Sequence, residues 1–299
     1  MPLTIATYNV LDLFDPEDAA SRGRLDRRIA KLASRLREAD ADVVALQEIG
    51  SKEALTALAR ATSADYAEPI IARADRRGIA CAILTRRPVL AVEMLDASEI
   101  PFPVFRDGDP EPFHGRMPLR RAVPVVRVDA GDLGPVTVAS IHFKSRRGVP
   151  RRDALGNEIP ATRPGEDAEE ELRALVLRAA EALYVRHAVD RLFGEQPDEL
   201  LAVCGDFNDV LTSTPLRILL GHGELGLHSC AQGIPIEQRI SVRHGGEPAA
   251  IDHVLASSRL FERVQSARFL NEGLFDPDTL PEGVAPEDSD HAPLVVRFA

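Results

Sequence analysis

The 299-residue sequence has no tryptophan, and it has only three cysteines, three tyrosines and three methionines. Cys81, Cys204 and Cys230 lack the paired spacing of zinc ligands, and an odd number of cysteines suits a reducing compartment. Because Cys81 and Cys204 lie inside apolar runs, we expect buried, unreactive thiols. The cysteine content therefore excludes a disulfide-stabilised scaffold and a cysteine-based zinc site.

Long apolar segments are also missing, since no run approaches the roughly 18–20 residues that a membrane-spanning helix needs. The residues before Asn9 contain neither the basic region nor the apolar stretch of a signal peptide. We therefore expect a cytoplasmic protein without stable membrane association. No internal repeat, low-complexity tract or shift of composition marks a boundary, so residues 1–299 are predicted to form a single domain.

The charge balance is acidic, because 36 Lys and Arg residues oppose 47 Asp and Glu residues and give a net charge of −11. This excess excludes a histone-like coat for nucleic acid, but a local basic patch could still bind phosphate groups. With 44% hydrophobic and 28% charged residues, the composition is that of an ordinary globular protein.

Short apolar runs alternate with helical patterns along the chain, which predicts an α/β fold. The predicted strands are Thr4–Tyr8, Val43–Gln47, Ala80–Leu84, Ala122–Val128, Val136–His142, Leu200–Cys204, Ala250–Ala256 and Pro293–Phe298. The predicted helices are Arg24–Glu38, Ala54–Ala61 and Glu169–Phe193. Two stretches, Ser98–Met117 and Ser145–Gly165, are rich in turn-forming or polar residues and predict long loops.

Polar residues suited to metal or phosphate chemistry follow several of the predicted strands. They are Asn9, Glu48, His142, Asp206, Asn208, Asp252, Asp290 and His291. Any one of them alone is more typical of a turn, a cap or a surface position. Their recurrence after apolar runs indicates a site instead, because a sheet fixes the positions of side chains at its strand ends.

Six motifs, spread from residue 7 to residue 291, give this set its specificity. They are Thr7-Tyr8-Asn9-Val10, Leu46-Gln47-Glu48, Ile141-His142-Phe143-Lys144-Ser145, Gly205-Asp206-Phe207-Asn208, Ile251-Asp252-His253 and Ser289-Asp290-His291. In this order they resemble the endonuclease/exonuclease/phosphatase superfamily, which includes deoxyribonuclease I and the inositol polyphosphate 5-phosphatases. The resemblance implies a four-layered α/β sandwich, in which two packed mixed β-sheets are flanked by helices.

The resemblance also implies a metal-dependent phosphoesterase whose cofactor is Mg²⁺, with Mn²⁺ as the alternative. Glu48 would be the first metal ligand, Asp290 would approach from the opposite side, and Asn9 would hold either the ion or the neighbouring carboxylate. A site with so few carboxylates suits an ion that keeps several water ligands.

Catalytic roles follow from the same resemblance. Asp206 positions or deprotonates the attacking water, and Asn208 donates a hydrogen bond to a phosphoryl oxygen without adding negative charge. Asp252 orients His291, which serves as the base or as a phosphate clamp. The sequence leaves open whether Asp206 or His291 is the base. His142 is expected to be the general acid or a second phosphate donor.

Residues near His142 are expected to bind the substrate. Lys144 lies two positions further along an extended strand, on the same face. The segment Asp75-Arg76-Arg77 resembles a loop of deoxyribonuclease-type relatives, in which the acid orients the histidine and the arginine, here Arg77, meets the substrate. Five cations within nine residues, without an intervening acid, predict a loop that binds polyanions: Lys144, Arg146, Arg147, Arg151 and Arg152.

We therefore predict a monomeric nuclease without a protein partner, which hydrolyses phosphodiester bonds and has DNA as its substrate. Two alternatives stay open: a phosphatase for a small soluble phosphate ester, and a non-catalytic scaffold that binds a partner. The lack of tryptophan argues against a DNA-repair role, because abasic endonucleases of the superfamily carry tryptophan and tyrosine near the site. Leu11 stands where some relatives have an acid, and Asp12 follows one position later.

Overall fold

The elements of the fold are taken from a computed structural model, which describes residues 2–16, 18–101, 116–153, 155, 157–281, 284 and 286–299. In chain order the strands are β1 Leu3–Leu13, β2 Val43–Ile49, β3 Ile70–Ile71, β4 Ala80–Thr85, β5 Val89–Leu95, β6 Ile100–Pro101, β7 Arg116–Met117, β8 Val123–Asp129, β9 Pro135–His142, β10 Arg151–Arg152, β11 Glu158–Ile159, β12 Leu200–Asp206, β13 Leu227–Ser229, β14 Val242–His244, β15 Glu247–Ala249, β16 Asp252–Ser257, β17 Val264–Phe269 and β18 Leu294–Phe298. The α-helices are α1 Ala19–Ala39, α2 Lys52–Ala61, α3 Pro164–Glu195, α4 Thr214–Leu220 and α5 Ser258–Phe261.

Two six-stranded sheets form the centre of the molecule. The first has the strand order β17-β18-β1-β2-β4-β3, and the second has the order β13-β16-β12-β9-β8-β5. Each sheet is mixed, because one parallel pair, β1–β2 or β9–β12, is flanked by antiparallel neighbours. The remaining strands form two-stranded hairpins.

Apolar side chains fill three successive layers between these elements. Residues that alternate along the strands, such as Ile5 and Val43 in the first sheet and Val138 and Ala202 in the second, are buried between the sheets. The opposite face of the first sheet packs against α1 and α2, and that of the second packs against α3 and α4. The predicted four-layered α/β sandwich is confirmed.

All eight predicted strands are present, and they are the inner strands of the two sheets. Sequence patterns missed the four edge strands, β3, β5, β13 and β17. Edge strands are covered on fewer sides, so their apolar pattern is weaker: Leu90 of β5 is 53% exposed and Val92 is 48% exposed. An inner strand is buried on both faces, so its sequence is an almost continuous apolar run that can be recognised.

The three predicted helices begin two to five residues earlier than predicted, whereas their C-terminal ends agree within two residues. Helix α1 begins at Ala19 because the side chain of Asp18 accepts a hydrogen bond from the Ser21 amide in a capping box. Helix α3 begins at Pro164, inside the predicted loop Ser145–Gly165, which also contains the hairpin β10–β11. Within Ser98–Met117 the ends pair as β6 and β7, and residues 102–115 lie outside the described part.

The three cysteines are buried and unpaired, and burial raises the pKa of the Cys81 thiol to about 12. The expectation that these thiols are buried is therefore confirmed. None of the described helices is both long enough and apolar enough to cross a lipid bilayer.

Candidate active site

The predicted site residues converge where the two parallel strand pairs end. The register of the second sheet places Asp206 opposite His142 on one side and opposite Asp252 on the other. In the first sheet Asn9 lies opposite Gln47, directly before Glu48. Because the carboxyl ends of parallel strands lie at one edge of a sheet, packing the two sheets brings these residues together. We call Asn9, Glu48, His142, Asp206, Asp252 and His291 the acid–histidine cluster.

Asn9 connects the two sheets inside this cluster. Its side-chain amide donates to Glu48 Oε1 at 3.1 Å and to Asp206 Oδ2 at 3.0 Å, while its oxygen accepts from the Leu11 amide at 3.0 Å. In this arrangement Asn9 orients the two carboxylates instead of offering its oxygen to an ion. Of the two roles expected for Asn9, the geometry favours holding the neighbouring carboxylate.

Unusual backbone conformations support both carboxylates. Leu11, Asp12, Glu48 and Asn208 all have positive φ angles, which non-glycine residues adopt only at a cost of about 1–3 kcal/mol each. These turns direct the Asp12 amide to Glu48 Oε2 at 3.0 Å and the Asn208 amide to Asp206 Oδ1 at 2.8 Å. The surrounding fold maintains the strained turns, and the turns fix the carboxylates.

Asp252 and His291 form a buried pair, as predicted. Asp252 Oδ2 lies 2.8 Å from His291 Nδ1, and His291 Nε2 lies 4.0 Å from Asp206 Oδ2. Burial alone would lower the pKa of His291, but Asp252, Asp206 and Asp290 together raise it to about 10. The imidazole is therefore protonated at neutral pH and directs a positive Nε2–H towards the centre of the cluster.

Asp206 lies at the centre of the cluster and is almost fully buried. Burial and the nearby Asp252 raise the pKa of Asp206 to about 7, although His291 opposes that rise. A carboxylate with a pKa near neutrality can take a proton from water and release it again within one catalytic cycle. This geometry is compatible with the role of proton acceptor.

His142 faces the same centre from the second sheet. Its Nε2 lies 3.4 Å from Asp206 Oδ2 and 3.9 Å from Glu48 Oε1. Burial, followed by the nearby Arg121 and the charged His291, keeps the pKa of His142 well below its ordinary value, so the ring is neutral. Asp75 does not orient this imidazole, because the Asp75 carboxylate pairs with Arg121 at 2.9 Å. Arg121 in turn donates to the His142 carbonyl at 3.2 Å. Asp75 is therefore linked, through Arg121, to the backbone of His142 and not to its ring.

The cluster fits a divalent cation. Glu48, His142 and Asp206 each offer a ligand atom, and these atoms lie within 4.8 Å of one another. Asp290 Oδ1 is buried and has no hydrogen-bond partner in the described part of the chain. Burial also raises the pKa of Glu48, although the hydrogen bonds from Asn9 and from the Asp12 amide oppose this rise. Buried carboxylate oxygens of this kind are the ligands that Mg²⁺ and Mn²⁺ prefer.

The basic loop differs from expectation, because acids from other segments neutralise it. Arg146 pairs with Asp209 at 2.9 Å, Arg151 with Glu166 at 2.9 Å, and Arg152 with Glu158 at 2.6 Å. Lys144 Nζ donates to the carbonyls of Ser145 and Arg147, at 2.9 and 2.6 Å, so this ammonium holds the loop together. Within the described residues, only Arg147 of the five cations has neither a carboxylate partner nor such a backbone role.

Arg77 lies on the other side of the cluster. Its side chain is 66% exposed, and its Nη2 lies 3.6 Å from Asp12 Oδ1. Asp12, whose amide donates to Glu48, therefore lies between Arg77 and Glu48. This placement leaves the Arg77 guanidinium available to a substrate.

A buried ionic network behind the site was missed in the sequence. Arg178 of α3 pairs with Asp209 at 2.8 Å and donates to the Lys144 carbonyl, while Glu181 accepts from the Lys144 amide at 2.7 Å. Asn208 donates to the carbonyl of Phe143 at 3.1 Å. Together these contacts join the loops that carry His142 and Asn208. The sequence signal that could have indicated this network is the presence of two charged residues, Arg178 and Glu181, among the apolar residues of the predicted helix.

We expect Asp209→Asn to lower the free energy of unfolding by about 3–5 kcal/mol, because Arg178 would stay buried without its counter-ion. Arg146→Gln removes the exposed partner of the same carboxylate and should change this free energy by less than about 1 kcal/mol. Urea unfolding followed by circular dichroism measures both. Equal losses in the two variants would contradict the stabilising role given to Arg178.

Comparisons with known proteins agree with this architecture. The sequence profile of the Endonuclease/Exonuclease/phosphatase family matches residues 6–291. A search of curated protein sequences returned no significant match. Among solved structures, a family protein from Bacteroides thetaiotaomicron is 19% identical, with a TM-score of 0.63 and coverage of 100% of this chain and 95% of that chain.

Two further structures are similar over the same extent. Truncated TDP2 from Caenorhabditis elegans is 16% identical, with a TM-score of 0.62 and coverage of 100% and 97%. The catalytic domain of human Nocturnin is 14% identical, with a TM-score of 0.62 and coverage of 100% and 94%. At such low identity these three structures show the fold that the chain adopts.

Proposed function

Because the chain belongs to the endonuclease/exonuclease/phosphatase family, we propose that it is a metal-dependent phosphodiesterase whose substrate is nucleic acid, with DNA preferred. The observation that carries this proposal is the convergence of carboxylates from both sheets with one charged and one neutral histidine. Hydrolysis of a phosphate ester needs a bound cation, a proton acceptor for water, and donors for the phosphoryl oxygens.

Glu48 and Asp290 would hold the Mg²⁺ or Mn²⁺ ion, with Asn9 keeping Glu48 in place. When bound, such an ion neutralises charge on the phosphoryl group and makes a coordinated water more acidic. Asp206 would accept the proton of the attacking water as the new oxygen–phosphorus bond forms. His291, held protonated by Asp252, would donate from Nε2 to a phosphoryl oxygen.

Two further donors would complete the reaction. Asn208 offers its side-chain amide, which is already oriented by Asp206 and by the Phe143 carbonyl. Because the His142 ring is neutral, it would act as a hydrogen-bond donor to the ester or phosphoryl oxygen and not as the general acid. Arg77, which is exposed beside Asp12, would contact the substrate from the open side.

A phosphatase for a small soluble ester is the second candidate. The observation that favours it is the pairing of Arg146, Arg151 and Arg152 with acids, which leaves little free positive charge on the loop for a long polyanion. Lys144, Arg146 and Arg147 remain predicted substrate contacts. We expect Arg147 to contribute most of the three, because Arg146 is paired with Asp209 and Lys144 donates to backbone carbonyls.

The test compares plasmid DNA and single-stranded oligonucleotides of DNA and RNA with a panel of phosphomonoesters. We expect cleavage of DNA with Mg²⁺ or Mn²⁺, and loss of cleavage in chelator that is reversed by adding the metal back. The Asp206→Asn variant controls for contaminating nucleases. Release of phosphate from a monoester, with DNA and RNA left intact, would replace the proposal with the phosphatase.

A further inference from the structure

A pocket of about 170 Å³ opens beside the acid–histidine cluster, between the segment after β1 and the first turns of α1. Its walls include Asp12, Phe14, Arg24, Arg28 and Pro286. Asp12 links the pocket directly to the site, because its backbone amide donates to Glu48 Oε2. A group bound in this pocket would therefore lie close to Glu48 of the cluster.

Phe14 gives the pocket an aromatic wall in a fixed position. The ring packs directly on the backbone of Gly50, where an added Cβ would lie only 2.2 Å from Phe14 Cδ1. Gly78 approaches the same ring, since a Cβ there would lie 3.5 Å from Phe14 Cε1. Although the ring packs against these glycines, Phe14 remains 37% exposed. An exposed ring held in place is suited to stacking against another planar ring.

Cations from α1 lie beside this ring. Arg24, Arg27 and Arg28 are three and four positions apart, so they share one side of the helix. Arg27 is paired with Glu287 at 2.7 Å, and Arg28 donates to the carbonyls of Val10 and Leu11. Arg24 has no carboxylate partner within 4.0 Å in the described part of the chain. Its guanidinium is therefore available to a phosphate.

We propose that this pocket is a nucleotide subsite, in which Phe14 stacks on the nucleobase next to the reacting phosphate and Arg24 meets the following phosphate. The inference rests on the proposed function and makes it more specific. A small ester without a ring gains nothing from Phe14, whereas every nucleobase offers a face for stacking irrespective of sequence. The subsite thus favours nucleic acid with weak sequence preference.

The kinetic test uses oligonucleotides with and without the relevant base. Phe14→Ala should raise KM for a DNA oligonucleotide about tenfold while kcat changes little, because one stacking contact is lost. Phe14→Tyr retains the ring and should restore the wild-type KM. An oligonucleotide with abasic sites should give the same KM with wild type and Phe14→Ala. Ile236→Ala, at a residue that is 79% exposed, serves as the surface control.

The binding test is independent of turnover. Since the chain has no tryptophan, Phe14→Trp would introduce its only indole fluorophore at the proposed stacking position. In chelator, this fluorescence should be quenched by an oligonucleotide and by a mononucleotide, but not by inorganic phosphate or an abasic oligonucleotide. Quenching by an aryl phosphate and not by nucleotides would show that the ring recognises another aromatic ester, and would overturn the nucleotide assignment.

The two proposals fail in distinguishable ways. If wild type cleaves DNA but Phe14→Ala has an unchanged KM and the indole is not quenched, the subsite is wrong and the nuclease stands. If no nucleic acid is cleaved while nucleotides still quench the indole, the subsite stands and the nuclease assignment is wrong. Arg24→Gln gives a further check, because it should raise KM and flatten its dependence on salt.

Discussion

Glu48→Gln is expected to reduce turnover on the order of a thousandfold, with the fold intact. The variant retains the volume and the hydrogen-bonding reach of the side chain but removes the negative charge that would hold the cation. A bound metal supplies several kcal/mol of stabilisation to the transition state, and about 4 kcal/mol corresponds to a factor of a thousand in rate.

Titration with Mg²⁺ and Mn²⁺ separates this effect from a general disturbance of the site. The metal concentration for half-maximal rate should rise in Glu48→Gln, while the urea unfolding midpoint should remain within the error of wild type or increase. Glu53→Gln, which removes the same charge from an exposed position on α2, is the matched control and should behave as wild type. Full activity of Glu48→Gln, or of wild type in chelator, would rule out the assignment.

Asp252→Asn and His291→Ala should each reduce turnover by about 10³–10⁴-fold, and the double variant should be little worse than His291→Ala alone. Asp252 acts through His291, because its carboxylate bonds Nδ1 and favours the protonated ring. Once the imidazole is absent, the carboxylate has nothing left to orient. Groups that act as a unit give losses that do not multiply.

A double-mutant cycle on kcat measures this coupling. A control cycle combines His291→Ala with Arg146→Gln, at an exposed residue of the basic loop that pairs with Asp209 and not with His291, and these losses should multiply. If the Asp252 and His291 losses also multiplied, the two residues would act independently and the pairing would have no catalytic role. Unfolding measurements on every variant are needed, because Asp252 is fully buried.

The inner strands and the members of the site were predictable because each is marked locally. A strand buried on both faces reads as a run of Val, Ile and Leu, and a catalytic group that follows such a run is conspicuous. Asn9, Glu48, His142 and Asp206 were found in this way. The edge strand β17 was not, since its half-exposed residues carry no comparable pattern.

The resemblance implied the pairing of Asp252 with His291, but most other contacts between segments distant in sequence could not be predicted. No acid interrupts the basic loop in the sequence, but in the fold Asp209, which follows β12, and Glu166 of α3 pair with its arginines. Asp75 was expected at the His142 ring, but Arg121 lies between them and diverts the carboxylate. The packing of the Phe14 ring on Gly50 likewise forms only when the segments that follow β1 and β2 meet.

By itself the sequence determined the α/β fold class, the order of the inner strands along the chain and the residue types that supply the chemistry. These follow from burial patterns and from motifs that are continuous in the chain. The tertiary structure alone decided which atoms of those residues meet, which charges are neutralised and which pKa values shift. The physical reason is that ion pairing and desolvation depend on distances of a few ångströms between segments that lie far apart in the chain.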